Sequence, residues 1–287
     1  MILEKEEQLK YLYAFKEGKI KRGLEIGNEL DDWVLHKKGS FNVVVGLDNV
    51  GKTNFMLWYY LGLSIKHNLK WCVWSGENSA GQLTRDLIQM LAQCKLNELS
   101  KTEILKYNNK IDSWFTFVSN KKMYNHKELL KIFKESNCDG GIIDPFTGLN
   151  HDRRVNQYER NYLICNDIRE FCNTTGKAIY LMTHPMTESA RRVYPPGHDY
   201  ASYIQPPRKS DVEGGQVFAN RCDQFLSIHR FINSPELWMM TQIRVEKIKD
   251  KETGGKPTLN EPLCFDYNGG LGFTIGGNNI LKHINNG

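Results

Sequence analysis

Short apolar runs alternate along the chain with stretches whose apolar residues return every three or four positions. The run Phe41-Asn42-Val43-Val44-Val45 precedes a helical pattern from 51 to 67. KWCVWS (70 to 75) precedes another over 79 to 93, FTFV (115 to 118) one over 126 to 136, and GGIID (140 to 144) one over 156 to 174, before AIYLMT at 178 to 183. Strands alternating with helices at this spacing predict an α/β fold with a mainly parallel, helix-covered sheet. Beyond a long Pro-, Gly- and Arg-rich connection, residues 185 to 215, the runs QFLSIHR (224 to 230), LWMMTQIRVE (237 to 246) and LCFDY (263 to 267) pattern as hairpin strands that extend the sheet. Residues 3 to 17 set Leu9, Leu12, Tyr13 and Phe15 among charges, which predicts a weakly amphipathic helix. The expected division is an N-terminal arm over 1 to 20 and one α/β domain over 21 to 287.

Composition narrows the class. At 287 residues and 40% hydrophobic content the chain can bury a full core. No apolar run approaches the ~20 residues that span a bilayer, and the first residues are too charged for a signal peptide, so a soluble, cytoplasmic chain is expected. Cys72, Cys94, Cys138, Cys165, Cys172, Cys222 and Cys264 form no C-x-x-C pair and have no His at ligand spacing. Free buried thiols are expected, with neither a zinc site nor a disulfide framework. A net charge of +5 is mild and is compatible with a polyanionic partner.

The chemistry centres on GLDNVGKT, residues 46 to 53, which lies where a predicted strand turns into a predicted helix. The spacing G-x-x-x-x-G-K-[ST] lets two glycines bring backbone N–H groups onto a phosphate, sends the lysine to the β- and γ-phosphates and the threonine to magnesium, and adds a helix N-terminus. Gly46, Asn49, Gly51, Lys52, Thr53 and Asn54 are the candidate nucleotide-binding residues, for ATP or another NTP or dNTP with Mg²⁺. Asp144, at the end of an apolar strand, is the candidate to hold the metal with Thr53, although single aspartates close many ordinary strands. Glu77 follows another strand at the same sheet edge. It is either the base that orients water or a carboxylate complementing the dipole of the next helix. His184 follows a third, as a polar contact for the γ-phosphate or as a structural histidine.

The connection from 185 to 215 interleaves Arg191, Arg192, His198, Arg208 and Lys209 with Tyr194, Tyr200 and Tyr203, and a shorter stretch holds Arg153, Arg154 and Tyr158. Cations for phosphates and rings for bases suit single-stranded nucleic acid; a solvated loop with scattered charges is the alternative.

Taken in order, GLDNVGKT, WSGENSAGQLTR, GGIIDPF, LMTHP, EGGQVFANRCDQFLSIHR and VEKIKDKETGG resemble the RecA-like motor domain of superfamily 4 helicases over residues 21 to 270. The phage primase-helicase and mitochondrial Twinkle branch is nearer than the DnaB type. The resemblance implies Glu77 as catalytic base, Asp144 as the Walker B carboxylate, His184 as the γ-phosphate sensor, and Arg230 and Tyr267 as a sandwich for the nucleobase. It further implies loops 147 to 160 and 187 to 212 on single-stranded DNA, a homo-hexamer and 5′-to-3′ movement. The arm would pack on the neighbouring subunit. The family's K-x-R motif, whose arginine reaches the neighbour's γ-phosphate, reads Lys247-Ile248-Lys249 here, so Lys249 or Lys247 stands in the finger's place and loses the planar fork. No primase half is present, so a separate primase or loader is an expected partner. Two further readings stay open: a recombinase- or KaiC-like ATPase that does not unwind, and a low-turnover nucleotide-binding scaffold or loader.

Overall fold

The computed structural model describes residues 5–151, 154–258 and 261–281. At the centre of its sheet is Phe41–Val45 (β1), flanked in parallel by Ala178–Thr183 (β5) and Gln224–Arg230 (β6). Outward from β5 come Gly140–Asp144 (β4), Trp71–Ser75 (β2) and Phe115–Phe117 (β3), all parallel. Outward from β6, Met240–Ile248 (β7), Leu263–Tyr267 (β8) and Phe273–Thr274 (β9) run antiparallel.

The parallel strands are continuous apolar runs because both faces are covered. Val44 packs with Trp71, Val73 and Tyr180 on one face, while Val43 and Val45 pack with Cys72, Trp74 and Ile179 on the other. Helices Lys52–His67 (α2), Ala80–Ala92 (α3) and Lys101–Asp112 (α4) contribute to the first layer. Helices His126–Glu135 (α5), Gln157–Thr175 (α6) and Val217–Arg221 (α7) form the second. The glycine pair in β4 is a packing slot: a Cβ on Gly140 would lie 2.6 Å from the Trp71 ring, and one on Gly141 2.4 Å from the Phe133 ring. The large aromatics are seated where two glycines make room.

Register puts the chemistry on one edge. Val45 is level with Thr183 and Ser75 with Asp144, so the chain leaves all four strands at the same height and enters the loops that carry the motifs.

The structure corrects four sequence expectations. Helix α4 lies in a stretch that shows little apolar periodicity, since only Ile111 on it is buried; its signal is the capping box of Ser100 and Glu103. Strand β7 starts later than expected and continues to Ile248. The connection from 185 to 215 is folded. It holds 3-10 turns at Thr187–Arg191 and Lys209–Asp211, with bridges between Pro185 and Val212, Val193 and Ile204, and Tyr194 and Ala201. Finally, the seven cysteines are free, but only Cys72, Cys165, Cys172 and Cys222 are buried, and Cys264 is exposed. The N-terminal helix Lys5–Lys16 (α1) has no buried residue. Among the described residues no helix is long and apolar enough to cross a membrane, and no cluster of three metal-ligating side chains occurs.

Gly141→Ala forces the Phe133 ring to move and is expected to lower unfolding stability by about 1–3 kcal/mol, read from the urea midpoint. A second expectation concerns His36, fully buried with Nδ1 2.9 Å from the Tyr180 hydroxyl, its pKa pushed down to about 3 by burial. The unfolded chain takes up a proton near pH 6.5 and the folded chain does not, so stability falls as pH drops through the window from 6.5 towards 3. Compared with His36→Gln, the native chain should lose about 2 kcal/mol between pH 7 and pH 5.

Candidate nucleotide site

The loop after β1 takes its shape from two glycines. Gly51 is left-handed at φ 79° where α2 begins. A Cβ on Gly46 would lie 2.8 Å from the Ile228 carbonyl, because the loop passes tightly against β6. Side chains at these positions would move the loop off the sheet.

Lys52 follows as the first residue of α2, and its side chain folds back into the floor of the cleft. It is buried, with Nζ donating to the Thr183 carbonyl at 3.1 Å, and burial pushes its pKa down against the pull of Asp144, Glu77 and Asp48. Thr53 donates its hydroxyl to Asp144 Oδ2 at 2.7 Å, while Asp144 Oδ1 is buried with no partner. Burial raises the Asp144 pKa, opposed by Lys52 and the Thr53 bond. A buried carboxylate with one oxygen free, beside a hydroxyl, is a hard-oxygen donor set that fits a magnesium ion.

Glu77 is held by the turn around it. Gly76 donates its N–H to the Asp144 carbonyl at 2.8 Å, and Asn78 donates to Ser75 Oγ at 3.0 Å. The cap of α3 is made by Ser79 and Gln82, so Glu77 is not needed there, and its carboxylate faces the cleft. His184 ties the pieces together: Nε2 is 3.4 Å from Glu77 Oε1, and Nδ1 is 2.9 Å from Asp48 Oδ1. Asp48 was not among the residues expected to act, since it occupies a variable position of the loop and its proximity to His184 depends on β1 and β5 pairing. The resulting cleft, about 460 Å³, also takes in Asn49, Asn54, Asn78 and Asp86.

Arg230 and Tyr267 do not form an open sandwich. The Arg230 guanidinium carbon lies 4.1 Å from the Tyr267 ring centroid, at direct stacking distance, and Nε donates to Thr241 Oγ1 at 3.1 Å. The slot expected for a base is filled by the arginine itself.

The opposite edge of the sheet holds the two lysines that replace K-x-R. Lys247 Nζ donates to the carbonyls of Ala219 and Asn220, at 2.7 and 3.1 Å, closing the last turn of α7. Lys249 is mostly exposed, with Nζ 3.8 Å from Asp223 Oδ1. Asp223 gains a physical role here. Its Oδ2 accepts the Phe41 N–H at 2.9 Å and an Arg169 N–H, and its backbone exchanges bonds with Phe41 and Lys249. It joins the start of β1, α6 and the end of β7.

Of the basic loop residues, Arg153 lies outside the described residues. Arg154, Arg191, Arg208 and Lys209 are exposed. Arg192 instead forms a two-pronged ion pair with the buried Asp211, which also accepts the Arg208 N–H. Among the aromatics, Tyr194 stacks on His198 at 4.2 Å, while Tyr200 and Tyr203 pack on Phe231. These rings brace the connection.

No family model and no curated protein matches the chain. Among solved structures, it is similar to one described as an ATPase domain, with TM-score 0.77 at 14% identity over 96% of this chain and 99% of that one. It is also similar to a DnaB-like replicative helicase described with its interactions with primase, with TM-score 0.74 at 12% identity over 96% of this chain and 67% of that one. Sheet order, the strand-end position of the phosphate loop and the antiparallel C-terminal strands all agree with this likeness: the chain has the RecA-like fold of DnaB-type helicase ATPase domains.

Proposed function

We propose that the chain is the motor of a ring-forming, ATP-dependent DNA helicase, hydrolysing ATP or another NTP or dNTP to move on single-stranded DNA and unwind duplex during replication. The observation that carries this reading is the convergence, in one cleft, of buried Lys52, the Thr53–Asp144 pair, and His184 set between Asp48 and Glu77. Magnesium, when bound, neutralises charge on the β- and γ-phosphates, and Thr53 and Asp144 are the residues to hold it. Lys52, with the backbone of Gly46 to Asn54, binds the phosphate chain. Glu77 orients the attacking water and takes its proton. His184, one residue ahead of the connection that starts at 185, passes the state of the cleft to that segment. Arg154, Arg191, Arg208 and Lys209, with Arg153, bind DNA phosphates; Arg192 holds the segment in shape through Asp211.

Across the subunit boundary, Lys249 acts on the neighbour's γ-phosphate. Lys247 is engaged with two carbonyls, whereas Lys249 is exposed at the edge opposite its own phosphate loop, as a residue serving the next subunit must be. The arm supports the homo-hexamer: α1 exposes Leu9, Tyr11, Leu12, Tyr13 and Phe15, a face that suits docking on an adjacent copy. Movement is 5′ to 3′, in the cytoplasm (the host's for a phage-carried gene), and a separate primase or loader is the further partner, in keeping with the primase contacts of the DnaB-like helicase. A lysine in the finger's place favours one rival, a low-turnover nucleotide-binding scaffold; a RecA- or KaiC-like ATPase that does not unwind is the other.

ATPase rate with and without single-stranded DNA, beside the mass of the assembly, tests the proposal. Stimulation by DNA excludes the scaffold, and strand displacement on a forked duplex excludes the non-unwinding ATPase. Glu77→Gln is expected to cut DNA-stimulated turnover by about 10²-fold or more while nucleotide binding persists; intact turnover would remove Glu77 as base. The lysines should separate. Lys249→Met is expected to lower kcat about tenfold at unchanged melting temperature, and Lys247→Met to lower stability by about 1–2 kcal/mol.

A further inference from the structure

Arg230 ends β6 with its guanidinium directly behind the phosphate loop. A Cβ built on Gly51 would meet Arg230 Nη2 at 2.9 Å, so the loop and the cation touch where Gly51 has no side chain. Arg230 is only 7% exposed, and its Nη2 is buried without a hydrogen-bond partner. Among the described residues no carboxylate lies within ion-pairing distance of it. Its neighbours are the Tyr267 ring at 4.1 Å, the Phe273 ring at 5.9 Å and the Thr241 hydroxyl.

A buried guanidinium with no counter-charge is costly, because the water it gave up is replaced by nothing of equal strength. Ring faces return part of that cost, and one hydroxyl returns a little more. Burial pushes the pKa of the group down, and Tyr267 only partly opposes this. The missing partner is an anion. The nearest place for one is the N-terminus of α2, where backbone N–H groups and the helix dipole already favour phosphate.

A base-stacking role fits less well. With the guanidinium resting on Tyr267, no thickness is left between them for a purine or pyrimidine, and opening the pair would also break the Thr241 bond and separate Arg230 from Gly51. We propose that Arg230 binds the phosphate chain of the nucleotide from behind Gly51, and that Tyr267 holds the guanidinium in that position. The inference rests on the reading of the cleft as a nucleotide site.

The probes are Mg²⁺–ATP and Mg²⁺–tripolyphosphate, which has the phosphates and no base, titrated by calorimetry into the full chain. Arg230→Met is expected to weaken both by a similar factor, about tenfold. Loss of ATP affinity with unchanged tripolyphosphate binding would overturn the proposal in favour of base stacking, and unchanged affinity for both would overturn any contact. If Arg230→Met does not fold, Tyr267→Leu carries the same test: as a prop for Arg230 it should weaken both ligands together, whereas as a base platform it should weaken ATP alone. Lys52→Ala separates the two levels. If it leaves ATP binding unchanged, the nucleotide site itself is misassigned, whatever Arg230 does.

Discussion

A buried lysine and a buried carboxylate share the floor of the cleft, and the rest of the structure is arranged to keep them there. Neither Lys52 nor Asp144 would stay charged in a dry interior alone, since each desolvated charge costs several kcal/mol. Together they oppose each other's shifts, and both keep polar valence open: Asp144 Oδ1 has no partner, and Lys52 leans on a backbone carbonyl. Such a pair is a poor stabiliser and a good receptor. The cost is tolerated because the parallel strands beneath it are packed almost without solvent, from Trp58 and Trp71 on one face to Phe133 and Phe225 on the other.

The same sheet separates two tasks. At the edge where parallel strands end, the cleft gathers Asp48, Glu77, Asp144 and His184 from four different strand exits. At the opposite edge, Asp223 ties Phe41, Arg169 and Lys249 into one knot. Strand β1 connects them, since Phe41 stands at the knot and Val45 leads into the phosphate loop. A five-residue strand held rigid by both faces gives the two edges a fixed spacing. That rigidity is what a site completed by a neighbouring copy requires, because a displacement of about 1 Å is enough to cost much of the benefit of a positioned group.

Much of this was legible in the residues. The phosphate loop could be read because its chemistry is local, eight consecutive residues between a strand and a helix, and Asp144, Glu77 and His184 because each follows an apolar run that marks a strand end. What was not legible depends on partners distant in sequence. Asp48 meets His184 only after β1 pairs with β5; Arg230 meets Tyr267 only after β6, β7 and β8 form a meander; Arg192 is claimed by Asp211 across the fold of the connection. Helix α4 is a different case. Its capping box was present in Ser100 and Glu103, but with one buried residue its periodicity was too faint to notice without the cap.

The lysine at 249 gains meaning from this geometry. An arginine there would face Asp223 with a planar fork matched to a carboxylate, and would compete with Arg169 for the same two oxygens. A lysine at 3.8 Å and mostly exposed is held loosely, the kind of contact worth a fraction of a kcal/mol. It is released to a phosphate at small cost, though it brings a point charge where the fork would have brought two aligned bonds. The substitution therefore trades strength at the neighbour's site for ease of leaving its own, so release from Asp223 is a small part of the barrier and the point charge a weaker hold on the transition state.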